Sequence, residues 1–231
     1  MEEKYYTRLA LARIRGYLIR HGYKLPSTEL LHKDIDLLTK DERKDFFTIA
    51  SEFDIKLYYF KRQEYPLPRV MKVLGILKSL YFESLLDVGS GRGAFLFPLL
   101  DQMRDIRVSS LDILDKRYSM LHDTEIGGID SLSVYKESIC QVPFPSNSFD
   151  VVCMLEVLEH IEDLEGAVAN AMRIAKKYII ASVPSKRDDN PEHINFLTRD
   201  TLTGLFTKHK KCKISFDEVP EHLIALIQIG E

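Results

Sequence analysis

The chain has 231 residues, 45% of them hydrophobic and 10% aromatic, enough for a sizeable core in one α/β domain with an extension or in two small domains. A formal net charge of −3 supplies no global field favouring nucleic acid or a membrane surface. Cys140, Cys153 and Cys212 lie far apart, which excludes a CxxC-type zinc site and gives no disulfide framework.

The opening, "MEEKYYTRLALARIRG", begins with acids and lacks an apolar signal core. No apolar stretch approaches the roughly 18 residues that a spanning helix requires. The expectation is a soluble, cytoplasmic protein without a membrane partner. Up to about residue 80 the pattern is helical. In "TRLALARIRGYLIRHG", Thr7, Leu11, Ile14 and Leu18 share a face and Gly22 is placed to end the helix. Thr39 and Glu42 form a capping box ahead of Phe46, Phe47, Ala50 and Phe53. Pro68 opens a further helix with Val70, Val73, Leu74, Leu77 and Leu80 inward.

From residue 84 the pattern alternates. Apolar runs at 85–88, 106–111, 132–135, 149–155 and 178–183 are separated by stretches of helical length, which predicts a parallel sheet covered on both faces. "KCKISFDEVPEHLIALIQIG" reads instead as two strands around a turn at Pro220, so one strand runs antiparallel. The division expected is an α-helical extension over 1–66, acting as a substrate lid or in oligomerisation, and a ligand-binding domain over 67–231.

In "LLDVGSGRGAF", glycines recur at 89, 91 and 93 directly behind the first apolar run. Glycine admits positive φ and lets a ligand approach bare backbone, and a turn between strand and helix aims N–H groups at it. A dinucleotide fingerprint has GxGxxG spacing; here it is GxGxG, with Asp87 two residues ahead. An acid there suits an ammonium and would repel a pyrophosphate. Asp112, in "VSSLDILD" 25 residues further on, can hold a ribose diol. An amino acid joined to a nucleoside without phosphate fits both acids, and S-adenosylmethionine is such a molecule.

With "LLDVGSGRG", "SSLDILD", "VPFPSNSFDVVCMLEVLEHI" and "YIIASVP" in this order, residues 70 to 230 resemble the class I S-adenosylmethionine-dependent methyltransferases. The resemblance implies a Rossmann-like, mostly parallel sheet of seven strands with an antiparallel terminal strand. It implies that Asp87 orients the methionine amine, directly or through water. Gly89, Ser90, Gly91 and Gly93 would form the floor, Asp112 would bind the ribose, and Ile113 would flank the adenine. Ser138, Ile139 and Leu155 complete the implied cofactor wall. Ser138 stands where the family often has an Asp for the adenine amino group, and the usual "PGG" before the fifth strand is replaced by "AKKYII".

Methyl transfer from a sulfonium is an in-line displacement governed by alignment, and a base is needed only where the acceptor must lose a proton. "EVLEH", with Glu156, Glu159 and His160, follows the fourth strand; if helical, Glu156 and His160 share a face. His193 in "NPEHINFLTRD" follows the fifth. His160, Glu159 and His193 are the catalytic candidates, with His160 a plausible base, for a small-molecule acceptor. A second resemblance, to the small-RNA 3′-end 2′-O-methyltransferases, would make Glu156, Glu159, His160 and His193 ligands of a divalent metal and RNA the substrate. A third reading is a non-catalytic S-adenosylmethionine-binding module or partner subunit. Arg8, Arg13, Arg15 and Arg20 on the first helix and "KHKKCK" at 208–213 could meet phosphates, but read first as solvated faces. "YYFKRQEYPLP" at 58–68 reads as packing between the helical segment and its neighbour before it reads as a base-stacking platform.

Overall fold

The computed structural model describes residues 7–23 and 29–230. The acidic opening at 1–6 lies outside the described residues. The sheet has seven strands in the order β3-β2-β1-β4-β5-β7-β6. They are β1 Ser84–Val88, β2 Arg107–Leu111, β3 Leu132–Tyr135, β4 Phe149–Leu155, β5 Ala175–Pro184, β6 Cys212–Val219 and β7 His222–Ile229. β1 to β5 pair in parallel, while β7 runs antiparallel to both β5 and β6. The strand order reverses between β1 and β4, and a crevice opens at the carboxyl ends of strands at such a point.

Central parallel strands are buried on both faces, so they read as continuous apolar runs. In β4, "FDVVCML", every residue but the last is buried. Helices α1 Arg8–Arg20, α2 Glu29–His32, α3 Lys40–Glu52, α4 Pro68–Lys78, α5 Leu96–Gln102 and α6 Asp115–Ile126 lie along the first part of the chain. All six contribute buried side chains to the core on one face of the sheet, α2 through Leu30 alone. Helices α7 Leu164–Ile174 and α8 Arg199–Thr207 cover the other face. The capping box of α3 forms, with Thr39 N donating to Glu42 Oε2 at 2.7 Å, and Pro68 occupies the first turn of α4. Among the described residues no helix is long and apolar enough to cross a membrane.

Helix α1 lies against α6 so closely that a Cβ at Gly16 would fall 1.7 Å from the Asp123 carbonyl oxygen. A Cβ at Gly127 would fall 1.9 Å from that of Ala12. Asp123, fully buried on α6, accepts from both Arg13 and Arg20. Burial lowers the Arg13 pKa to about 10, with Arg20 adding to the effect. Arg15 is buried and donates to the Lys33 carbonyl at 2.7 Å, and Arg8 pairs with Asp36 at 3.6 Å. The arginines of the first helix are therefore anchors, which corrects the expectation of a solvated basic face. In the second basic stretch, Lys208 and His209 both pair with Glu165.

Candidate functional site

The chain leaves β1 through a loop whose glycines all have positive φ: 65° at Gly89, 59° at Gly91 and 76° at Gly93. Gly89 N donates to the Leu111 carbonyl at 2.7 Å, and Gly91 N donates to Asp112 Oδ2 at 2.8 Å. Ser90 Oγ donates to the Asp87 carbonyl at 3.1 Å and accepts from Ser110 Oγ at 2.8 Å. The loop is thus pinned to the end of β2, and the two expected recognition acids are brought to its two sides.

Two adjoining cavities open there. One, of about 470 Å³, is lined by Asp112, Ile113, Ser138, Ile139 and neighbours; the other, of about 340 Å³, by Asp87, Ser90, Gly91, Arg92, Leu155 and neighbours. Gly89, Arg117, Glu156 and His160 line both and mark where they meet. Gly93 lines neither. A Cβ on it would enter the Phe97 ring at 2.4 Å, so its missing side chain serves helix packing and not the expected floor. No residue before Arg69 lines either cavity among the described residues.

Asp112 is already organised by the backbone: Leu114 N donates to Oδ1 at 2.9 Å and Gly91 N to Oδ2. Each oxygen keeps a lone pair for a further donor. Asp87 is in the opposite condition. Its Oδ2 is buried without a hydrogen-bond partner, and desolvation raises its pKa to about 7, with Asp112 adding repulsion. A buried carboxylate in this state is stabilised by any cation placed against it.

"EVLEH" is not a helix. Glu156 takes φ +58° and only Leu158–His160 forms a 3₁₀ turn, so the i, i+4 pairing of Glu156 with His160 does not arise. Glu156 instead accepts from Ser182 Oγ at 2.8 Å and pairs with His222 at 3.2 Å and Arg69 at 4.0 Å. Glu159, His160 and His193 do converge, with ligand atoms within 4.8 Å of one another. Both Glu159 oxygens are buried and unpartnered, and burial beside Glu156 pushes this carboxyl up to about 8. His160 Nδ1 lies 2.9 Å from the Glu192 carbonyl, which can only accept, so Nδ1 carries the proton. His193 Nδ1 lies 2.9 Å from Asp188 Oδ2, which sets the same tautomer. Each neutral ring keeps its Nε2 lone pair. A buried carboxylate without partners and two imidazoles held from behind by a carbonyl and a carboxylate fit a divalent cation. Glu156, tied elsewhere, stands outside that set. Ser182 and His222 had no signal in the sequence, because each reaches Glu156 from a strand remote in the chain, and Asp188 meets His193 only through the fold of the loop they share. Arg92 lay in view within the glycine loop.

Residues 86–179 match the family described as a methyltransferase domain. Sterol 24-C-methyltransferase of Pneumocystis carinii is 30% identical over 156 residues, covering 64% of this chain and 39% of that protein. The crystal structure of the small RNA methyltransferase HEN1 superposes with a TM-score of 0.59 at 22% identity, over 71% of this chain and 25% of that one. A SAM-dependent methyltransferase from Aquifex aeolicus gives 0.54 at 20%, over 76% and 100%. The chain spans less than half the length of the curated relatives it matches. Sheet order and glycine loop define a Rossmann-like α/β domain. Within it, residues 86–179 match a methyltransferase domain, on a fold shared with a SAM-dependent methyltransferase of known structure.

Proposed function

We propose that this chain transfers the methyl group of S-adenosylmethionine to a small-molecule acceptor. The observation that carries the reading is the pair of acids on either side of the glycine loop. Asp87 is buried with an orphaned oxygen in one cavity, and Asp112 is fixed by two backbone N–H groups in the other. An ammonium answers the first and a ribose diol the second. A ligand spanning both lays its sulfonium near the shared wall of Gly89, Glu156 and His160.

The acceptor atom attacks the methyl carbon in line. The carbon–sulfur bond breaks, its electron pair returns to sulfur, and S-adenosylhomocysteine leaves. The protein's contribution is alignment. Where the acceptor carries a proton, His160 can take it at Nε2, since Nδ1 is committed to Glu192. The curated sterol methyltransferase relative supports an apolar small acceptor. The free cysteines fit a reducing cytoplasm, which belongs to the same proposal. Competition distinguishes this ligand from a dinucleotide. S-adenosylhomocysteine is expected to bind one to one and resist displacement by NAD, and tighter binding of NAD would overturn the reading.

The convergence of Glu159, His160 and His193 favours a second reading, metal-assisted methylation of a ribose hydroxyl at an RNA 3′ end. These three residues would hold the ion, which would lower the pKa of a bound hydroxyl. Titrating chelator-washed protein with Mn²⁺ in the presence of S-adenosylhomocysteine decides between them. One site lost in both His160→Ala and His193→Ala supports the metal; no heat of binding removes it.

A further inference from the structure

The segment between α3 and α4 contributes nothing to the lining of either cavity, yet it grips the loop that does. In the 3₁₀ turn Tyr58–Gln63, Phe60 is fully buried and stacks on Phe97, ring centroids 4.3 Å apart and 17° from parallel. Phe97 in turn closes on Gly93, leaving no room for a Cβ. Its ring is therefore held between Phe60 and the end of the glycine loop. The neighbouring Tyr59 ring carries the Arg92 guanidinium, 5.4 Å from its centroid. Arg92 lines the cavity that contains Asp87, and no acceptor reaches its donors among the described residues. Consecutive residues of the turn thus hold consecutive residues of the loop.

The turn is itself anchored. Gln63 Nε2 donates to the Phe60 carbonyl at 3.0 Å and to Thr7 Oγ1, the cap of α1, at 2.8 Å. Through α1 it is tied to Asp123 on α6. Packed aromatic pairs of this kind fix relative position as well as burying area. A loop with three positive-φ glycines has many alternative conformations open to it unless its neighbours restrict it.

We propose that Tyr59 and Phe60 are positioning residues for the cofactor loop, Phe60 holding Gly93 through Phe97 and Tyr59 holding Arg92 against the ligand cavity. This rests on the cleft being an S-adenosylmethionine site. It gives the helical extension the work of a brace, setting cofactor affinity from outside the sheet.

The test is calorimetric titration of the full chain with S-adenosylhomocysteine, alongside thermal unfolding. Phe60→Ala is expected to raise Kd about tenfold at a temperature where the variant remains folded. Phe206→Ala, an equally buried ring in the core on the other face of the sheet, controls for general loosening. It is expected to lose comparable thermal stability with Kd within about twofold of the parent. Tyr59→Ala, at a half-buried position that does not threaten folding, is expected to weaken binding about threefold, and Tyr59→Phe to restore it. The proposal is overturned if Phe60→Ala and Tyr59→Ala both bind as the parent does, or if Phe206→Ala weakens binding as much as Phe60→Ala. Should Phe60→Ala fail to fold, the Tyr59 pair decides alone. A parent chain that binds no S-adenosylhomocysteine overturns the methyltransferase reading itself, and the brace with it.

Discussion

Asp87 ends up where β1 meets the glycine loop, with one oxygen buried and unpartnered and a pKa of about 7. Binding a ligand ammonium favours the carboxylate, so the bound pKa lies below the free one and a proton is released on binding. Affinity is then expected to be level above about pH 7 and to fall as pH drops below it, by no more than a factor of ten per unit. Titrations in buffers of different ionisation enthalpy measure the released proton directly. Asp87→Asn is expected to remove the pH dependence; an unchanged profile in that variant would assign the proton to another group. The two acids the cofactor reading uses were singled out by different rules, Asp87 as an acid beside a glycine turn and Asp112 as an acid at the end of the second strand 25 residues further on. The setting of Glu156 was not legible, since its left-handed backbone and its partners Ser182 and His222 exist only after β4, β5 and the β6–β7 turn have come together.

At the scale of elements, the contact of α1 with α6 is the feature furthest from sequence expectation. Basic residues at helical spacing usually face water, but here Gly16 and Gly127 bring the two helices close enough to bury Asp123 between Arg13 and Arg20. Removing one partner of a buried ion pair leaves its counterpart uncompensated. Asp123→Ala is therefore expected to cost about 3–5 kcal/mol by urea denaturation, with Arg13→Met in the same chain recovering part of it. A loss under about 0.5 kcal/mol would show that the pair is solvated in solution. Gly93→Ala places a methyl group into the Phe97 ring at a positive φ. Its melting temperature should fall clearly below that of Gly204→Ala, where an added Cβ meets nothing. Strand runs and the caps of α3 and α4 were legible, because continuous apolar runs and capping rules act within a few residues. The convergence of Glu159, His160 and His193 from two different loops was legible as residue types, and its geometry only in the folded chain.

Across the whole molecule, the sheet order β3-β2-β1-β4-β5-β7-β6 sets a switch point between β1 and β4, and everything the proposed chemistry uses stands at that end of the strands. The alternation of apolar runs announced this arrangement, and the hairpin around Pro220 announced the antiparallel strand. The acceptor stayed out of reach because methyl transfer needs alignment, which leaves no fixed residue signature in a chain. The measurement that bears most directly on the account is a calorimetric comparison of the parent and Asp112→Ala titrated with S-adenosylhomocysteine. The account predicts one site in the parent and a loss of about 1.5–3 kcal/mol in the variant, from charge-assisted hydrogen bonds to the ribose. Absence of binding in the parent, or equal affinity in the variant, would contradict it.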